Sequence, residues 1–134
     1  MNHWLLLADP ETYGFSDLAR DKETVWDGIG GSLAQKHLRG IKQGDLALVY
    51  HTAPDKAVVG TAQIASNPYP DPKDKEGKLV VVEVQPAARL KNPVSLAALR
   101  QNKKLAGMAF LKIQRIAVSP LRKEEFDEIL KMGR

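Results

Sequence analysis

Apolar residues form short β-branched runs, or alternate with polar residues, in five parts of the chain, a pattern typical of β-strands. The predicted strands cover residues 4–8, 45–51, 57–65, 79–85 and 112–118. Turn-forming residues separate them: residues 53–56 join the second strand to the third as a hairpin, and the proline-rich residues 66–77 follow the third. We expect this proline-rich connection to be a mobile loop.

A period of three to four residues predicts four short helices between and after these strands. They cover residues 15–20, Ser32–Arg39, a segment that starts near Ser95, and Lys123–Met132. Ser32 and Gln35 have the spacing of a capping box. Because strands and helices do not alternate regularly, the pattern favours an α+β domain with a curved sheet or small barrel over a doubly wound nucleotide-binding fold.

The composition limits the classes of protein that fit this pattern. A chain of 134 residues forms one domain, so we predict a single domain over residues 1–134. The absence of cysteine excludes disulfide scaffolds, thiol nucleophiles and cysteine-based metal sites, and the three histidines lack an H-x-x-x-H spacing. The apolar run at residues 4–8 is too short for a signal peptide or a membrane span. We therefore expect a soluble cytoplasmic monomer with no metal, no cofactor and no membrane partner.

The net charge of +4 conceals an uneven distribution along the chain. Residues 1–30 contain two basic and six acidic residues, whereas nine basic residues and no acidic residue occur from Arg89 to Lys123. Such a stretch can attract a polyanion, or it can simply keep the surface solvated, and charge alone leaves both interpretations open.

Motifs of common enzymes are missing from the sequence. There is no G-x-S-x-G elbow, no H-E-x-x-H and no phosphate-binding P-loop. The glycine-rich residues 28–31 are interpreted as a flexible turn before a helix. An enzyme would have to use His51 with a carboxylate such as Asp27 or Asp71, and we expect the protein not to be an enzyme.

Aromatic residues are scarce, and several stand beside turns or strand ends. Trp4 is predicted to lie in the core, whereas Trp26 directly precedes the glycine-rich turn and is predicted to face a site. Tyr50 ends a strand, and Tyr69 lies in the long connection. Aromatic side chains from several loops can form a slot that stacks on a nucleobase.

The order of eight short segments resembles the EVE domain family of the PUA-like superfamily. In chain order these segments are WLLLADP from Trp4, DLARD from Asp17, TVWDGI from Thr24, GDLALVYH from Gly44, VGTA from Val59, YPD from Tyr69, PVSL from Pro93 and IAVSP from Ile116. The resemblance implies a PUA-like curved β-barrel of five or six strands with short peripheral helices. It also implies a pocket that receives a flipped-out, modified base from DNA or RNA.

The resemblance also indicates which residues form the pocket. Trp26 matches the family's pocket tryptophan, and Asp27 and Gly28 follow it. Tyr50 and His51 match the strand-end pair beside the pocket. Tyr69 matches the loop tyrosine over the mouth of the pocket, and Arg115 matches a basic residue before a late strand. We expect Arg115, Lys103, Lys104 and Lys112 to contact phosphates.

Of the departures from the family pattern, two concern segments near the pocket. The family's Lys-Ser-Glu-Pro is replaced by residues 7–10, Leu-Ala-Asp-Pro, and the Arg-Asn-Tyr that commonly follows Trp-Asp-Gly-Val is replaced by residues 30–32, Gly-Gly-Ser. A lysine, a hydroxyl and an asparagine are thereby lost near the pocket. The first hypothesis is a non-enzymatic reader of a modified base in DNA or RNA. The alternative is a module on the same fold that binds a nucleoside-like small molecule without a polynucleotide.

Overall fold

The computed structural model describes residues 1–113 and 115–134. Its strands are β1 (His3–Ala8), β2 (Thr24–Trp26), β3 (Leu46–His51), β4 (Ala57–Ile64), β5 (Tyr69–Pro70), β6 (Val80–Ser95) and β7 (Val118–Leu121). Its helices are α1 (Pro10–Tyr13), α2 (Phe15–Asp21), α3 (Ser32–Arg39), α4 (Leu96–Gln101), α5 (Ala109–Lys112) and α6 (Lys123–Met132), and a 3-10 turn at Lys103–Leu105 lies between α4 and α5.

Six strands form a sheet in the order β2-β6-β4-β3-β1-β7, and the short β5 pairs with β6. β1 and β3 are parallel, and the other pairs are antiparallel. The register shifts between Val49 and Tyr50 and at two places along β4 and β6. Such bulges bend and twist a sheet. The predicted α+β architecture with a curved sheet is confirmed, with seven strands in place of five or six.

β1 lies between β3 and β7 and is covered on both faces. Trp4, Leu6 and Ala8 belong to one hydrophobic cluster, whereas Leu5 and the half-buried Leu7 pack against a second. A strand buried on both faces reads as a continuous apolar run, as residues 4–8 do. The prediction that Trp4 lies in the core is confirmed, since 6% of it is exposed.

The parallel pairing of β1 with β3 places their C-terminal ends at the same edge of the sheet. Ala8 is the register partner of His51, and the Thr52 backbone N–H donates to the Ala8 carbonyl at 2.9 Å. The Leu7 N–H donates to the Ala117 carbonyl at 2.9 Å, so the segment before β7 reaches this edge as well. Three segments therefore meet where the candidate site lies.

The prediction of a strand over residues 112–118 was wrong. The helix α5 ends at Lys112, and the strand β7 begins only at Val118; Gln114 lies outside the described residues. Phe110 and Ile116 are both buried in the same hydrophobic cluster, although they belong to different local structures. The strand was predicted from Ile113, Ile116 and Val118, of which Ile113 is exposed after α5, Ile116 is buried before β7 and Val118 is the first residue of β7. Apolar positions outside regular structure thus produced the alternation typical of a strand.

Strand β6 is much longer than the predicted residues 79–85. It continues through Pro86 and Pro93 to Ser95. Pro86 faces Ala62 where the register with β4 shifts, a place where a missing backbone N–H is tolerated. The prolines led to a prediction that ended the strand too early.

The predicted helices at residues 15–20, Ser32–Arg39, near Ser95 and Lys123–Met132 are confirmed. The capping box assigned to Ser32 and Gln35 was wrong, because Gly31 is the N-cap of α3 and provides no side-chain cap. The buried Gln35 side chain instead donates to the Ile29 carbonyl at 2.7 Å and accepts from the Val80 N–H at 3.0 Å. Gln35 therefore fixes the glycine-rich turn to β6.

Candidate functional site

A cavity of about 510 Å³ opens beside the C-terminal end of β1, and we call it the Trp26 cavity. It lies between β1, the loop and helix α1 that follow it, and strand β2 with the glycine-rich turn. Its described lining residues are Leu7, Ala8, Asp9, Thr12, Tyr13, Thr24, Val25, Trp26, Asp27, Gly28, Ile29 and Ala117. This volume lies in the usual range for small-ligand pockets, about 300–1,000 Å³.

Trp26 forms a fixed aromatic wall of this cavity. Its backbone pairs with Val82 of β6, and its side chain is 9% exposed. The Tyr13 ring meets it edge to face, with ring centroids 6.5 Å apart and an interplanar angle of 84°. The tryptophan is therefore held by the core on one side while it borders open space on the other.

Tyr13 was not predicted from the sequence as a site residue. Its hydroxyl donates to Asp21 at 2.8 Å, and burial raises the pKa of Tyr13 above its ordinary value of 10.0. The ring is therefore neutral at physiological pH. Tyr13 reaches the cavity because Asp9 caps α1, accepting from the Glu11 N–H at 3.0 Å and the Thr12 hydroxyl at 3.0 Å.

The turn after Trp26 depends on glycine. Gly28 has a φ of 79°, in the left-handed region that favours glycine, and Cβ atoms at Gly28, Gly30 and Gly31 would meet nothing within 4 Å. Ile29 is buried, and its carbonyl accepts the Gln35 hydrogen bond described above. The turn is therefore anchored at its centre while its glycines leave open space around it.

Asp27 stands at the mouth of the cavity in contact with a distant loop. Its carboxylate lies 3.0 Å from the Lys73 ammonium, and the exposed pair raises the pKa of Lys73. Asp74 organises this loop by accepting from the backbone N–H groups of Lys78 at 2.8 Å and Leu79 at 2.7 Å. These bonds, the one from Leu79 foremost, hold the pKa of Asp74 below its usual 3.8. The loop thereby presents a cation to Asp27.

The described lining of the Trp26 cavity contains no lysine, arginine or histidine. Leu7 and Ala8 occupy the positions where the family pattern has lysine and serine, which makes this wall apolar. The charged lining residues of the cavity are the acceptors Asp9 and Asp27, and Thr12, Tyr13 and Thr24 add hydroxyl groups. The cavity therefore suits a flat ligand that carries a hydrogen-bond donor and no negative charge.

A second cavity of about 500 Å³ lies on the other side of Leu7, and we call it the basic cavity. Its described lining residues are Leu7, Tyr50, Thr52, Ala53, Lys56, Leu96, Arg100, Phe110, Leu111 and Arg115. The rings of Tyr50 and Phe110 are 4.7 Å apart at an angle of 57°. Leu7 lines both cavities, so the two are neighbours at one edge of the sheet.

The predicted site residues fall into three groups. Trp26, Asp27 and Gly28 line the Trp26 cavity, whereas Tyr50 and Arg115 line the basic cavity. The remaining predicted residues are not among the lining residues of either cavity; they are His51, Tyr69, Lys103, Lys104 and Lys112.

His51 is buried and fully engaged in holding the fold. Its Nε2 accepts from the Phe15 N–H at 2.9 Å, and its Nδ1 lies 2.9 Å from the Asp55 carboxylate. Nδ1 therefore carries the proton and donates to Asp55. The ring ties α2 and the hairpin to the end of β3.

Tyr69 and the three lysines lie elsewhere. Tyr69 is half-buried opposite Val81, and burial raises the pKa of its hydroxyl. Lys103 and Lys112 are exposed, and Lys104 forms a 3.7 Å ion pair with Glu128. In residues 1–113 and 115–134, no group of three or more His, Asp or Glu side chains is arranged to hold a metal ion.

The sequence profile of the EVE domain matches residues 2–132 of the chain. The chain belongs to the EVE domain family. It is 30% identical to human thymocyte nuclear protein 1 and 32% identical to the mouse protein, and each match covers 98% of this chain and 73% of the relative. Each alignment spans 165 residues, more than this chain contains, so the thymocyte proteins carry additional residues within the matched region.

Solved structures agree with this EVE assignment. A bacterial protein from Rhodopseudomonas palustris superposes with a TM-score of 0.94 at 34% identity, covering 99% of this chain and 93% of its own. Human thymocyte nuclear protein 1, solved with DNA containing 5-methylcytosine, gives a TM-score of 0.90 at 28% identity, covering 100% of this chain and 98% of its own. An ASCH protein from Zymomonas mobilis shares the fold, with a TM-score of 0.63 at 13% identity over 99% of this chain and 96% of its own. The PUA-like fold implied by the sequence is thus confirmed.

Among the described helices of this EVE domain, none is long and apolar enough to cross a membrane.

Proposed function

We propose that this EVE domain is a non-enzymatic module that binds DNA carrying a modified base and takes that base into the Trp26 cavity. The observation that carries the proposal is the cavity itself: a space walled by Trp26, whose charged lining residues are the acceptors Asp9 and Asp27. The human relative solved with 5-methylcytosine DNA supports DNA as the polymer.

The free energy of such binding comes from stacking and edge contacts. Everting a base from a duplex costs a few kcal/mol. Stacking on an aromatic side chain returns about 1–3 kcal/mol per base. Trp26 provides the stacking face, and Tyr13 fixes its orientation.

The rim of the cavity favours a base with an exocyclic amino group. A carboxylate accepts well from the N4 amino group of cytosine. Asp27 is placed for this role, and the apolar Ala8 and Ile29 offer a surface for a methyl group. A methylated cytosine combines both features.

The first prediction concerns the affinity of the Trp26→Ala variant for a single-stranded DNA that contains one 5-methylcytosine. Loss of the stacking face weakens binding at least tenfold, as measured by fluorescence anisotropy, because about 1.4 kcal/mol corresponds to a factor of ten. Trp26→Phe keeps a smaller ring and gives an intermediate affinity. Thermal unfolding of both variants establishes that they are folded at the assay temperature.

Equal binding by folded Trp26→Ala and the parent protein would place Trp26 in the core alone and overturn the proposal. The same titration with the matching RNA decides between the two polymers, and tighter RNA binding would replace DNA as the partner.

The alternative function is a module that binds a free nucleoside. The observation in its favour is the described lining of the Trp26 cavity, which has no cation to meet a phosphate. Isothermal titration with 5-methyldeoxycytidine separates the two functions: affinity equal to that of the oligonucleotide would favour the nucleoside.

A further inference from the structure

The basic cavity combines an apolar floor with a cationic rim. Leu7, Leu96 and Leu111 form its aliphatic part, next to the Tyr50–Phe110 pair. Lys56, Arg100 and Arg115 supply positive charge, and no described lining residue is acidic. Within residues 1–113 and 115–134, none of these three cations forms an ion pair. Their charge is therefore available to an anionic ligand.

Two of the cations stand on backbone that L-residues rarely adopt. Lys56 has a φ of 47° and Arg115 a φ of 59°. The left-handed region costs a non-glycine residue about 1–2 kcal/mol, and residues in sparsely populated backbone regions cluster at ligand sites. The Lys56 carbonyl accepts from the Leu96 N–H at 2.8 Å, which fixes the lysine against α4. Lys56 and Arg115 thus have long basic side chains at positions whose positive φ favours glycine.

Arg100 approaches the aromatic pair from α4. Burial raises the pKa of Tyr50, and the nearby Arg100 guanidinium partly opposes that rise. The Tyr50 hydroxyl is accordingly neutral at physiological pH. The chemistry of the cavity thus fits a flat, apolar-faced group attached to an anion.

A nucleotide is such a ligand: a base against the aromatic floor and a phosphate at the cations. The two cavities share Leu7, and Arg115 of one is only two residues from Ala117 of the other. The two cavities are therefore close enough in the fold for consecutive nucleotides of one strand to be considered as their ligands.

We propose that the basic cavity binds the nucleotide adjacent to the everted base, with its base on Phe110 and its phosphate between Lys56, Arg100 and Arg115. This inference rests on the proposed function for its polymer. It requires the neighbouring base to leave its stack as well, so single-stranded or locally opened DNA binds more tightly than an intact duplex.

The test uses short single strands of DNA that each contain one 5-methylcytosine. In one strand both neighbours of the 5-methylcytosine are normal nucleotides; in two others the following or the preceding nucleotide is replaced by an abasic site. The abasic site keeps the phosphate and removes the base. For the parent protein, the abasic site on the side that enters the basic cavity weakens binding about tenfold in fluorescence anisotropy, the effect of one lost stacked base. Phe110→Leu, which keeps an apolar side chain, abolishes that difference.

The cations are tested on the same strands. Arg100→Gln weakens binding of the intact and the abasic strand by the same factor, since the phosphate is present in both. Lys42→Gln is the matched control: Lys42 is exposed and precedes β3, at the opposite end of the strand from both cavities. We expect Lys42→Gln to leave the affinities for the intact and the abasic strand unchanged.

If abasic sites on either side have no effect and Arg100→Gln binds like the parent, the inference is overturned while the Trp26 result stands separately. If no DNA binds, a titration with deoxycytidine monophosphate, followed by NMR, remains informative. Shifts confined to the basic cavity would support a nucleotide site for a free ligand and remove the proposed function, whereas no shifts in either cavity would overturn both.

Discussion

Asp45 is a buried carboxylate that holds three donors at the start of β3. It accepts from the Asn2 N–H at 3.0 Å, the Trp4 indole N–H at 2.9 Å and the Lys42 N–H at 2.9 Å. Through these bonds it joins the beginnings of β1 and β3, whose opposite ends build the two cavities. Its contribution is to the fold and not to ligand contact.

We predict that Asp45→Ala lowers the free energy of unfolding by about 3 kcal/mol or more. Hydrogen bonds to a charged group contribute about 1.5–3 kcal/mol each, and the indole N–H would remain buried without a partner. Urea denaturation followed by tryptophan fluorescence measures the change. The control is Asp127→Ala, which breaks an exposed pair with Lys123 and changes stability by at most about 1 kcal/mol. Equal losses in the two variants would contradict the prediction.

At the level of single residues, the sequence predicted the part of the cavity lining that is local. Trp26, Asp27 and Gly28 are consecutive, and a large aromatic before a glycine turn is visible without a structure. Lys73 was missed because it is 46 positions from Asp27 and reaches it only through the folded loop. Tyr13 was missed because its role depends on how Asp9 starts α1.

Helix α2 packs directly against the backbone of β4, at Gly60. A Cβ at this glycine would lie 2.5 Å from the Phe15 ring, a distance that side chains do not tolerate. The Arg89 guanidinium covers the same ring, 5.1 Å from its centroid. The helix therefore sits closer to the sheet than any residue with a side chain would permit.

We predict that Gly60→Ala destabilises the protein by about 1–3 kcal/mol, because the Phe15 ring and α2 have to move away. Gly107→Ala is the matched control, since a Cβ there meets nothing within 4 Å. Differential scanning calorimetry compares the two melting temperatures. A Gly60→Ala protein as stable as Gly107→Ala would show that α2 shifts without loss of contacts.

Elements with a long, regular pattern were predicted, and elements defined by their partners were not. β3 is a continuous apolar run and α6 has an apolar stripe, so each pattern is visible in the element's own residues. β2 has three residues and β5 two, and each is a strand only because β6 lies beside it. The helix α5 is four residues long, too short for a helical period to emerge.

At the scale of the whole molecule, the basic stretch from Arg89 to Lys123 is divided by the fold. Arg100 and Arg115 line the basic cavity beside the Trp26 cavity, whereas Lys104 pairs with Glu128 of α6. The sequence predicted the excess charge and the fold family, because each depends on many residues along the chain and not on a single contact. It did not predict which of the cations share a surface, since that depends on long-range packing.

We predict that binding to single-stranded DNA weakens with salt, with a slope of about −0.7 in log K against log salt. Each phosphate neutralised on a single strand contributes about −0.7, and the three cations that line the basic cavity meet one phosphate in the proposed binding mode. Anisotropy titrations between about 50 and 200 mM salt measure the slope. Arg100→Gln reduces the magnitude of this slope, whereas the affinity for a free nucleoside does not change with salt. An affinity that does not change with salt would show that the cations of the basic cavity do not contact phosphate.

Leu7 forms a wall of both cavities, and this shared wall restricts how the protein can diversify. A substitution at Leu7 alters the walls of both cavities in a single mutational step, so a change in the shape of one is coupled to a change in the other. Ala8 and Ile29 border the Trp26 cavity and not the basic one. If the Trp26 cavity holds a base as proposed, lineages of this domain that adopt a different base are expected to change at Ala8 or Ile29 before they change at Leu7.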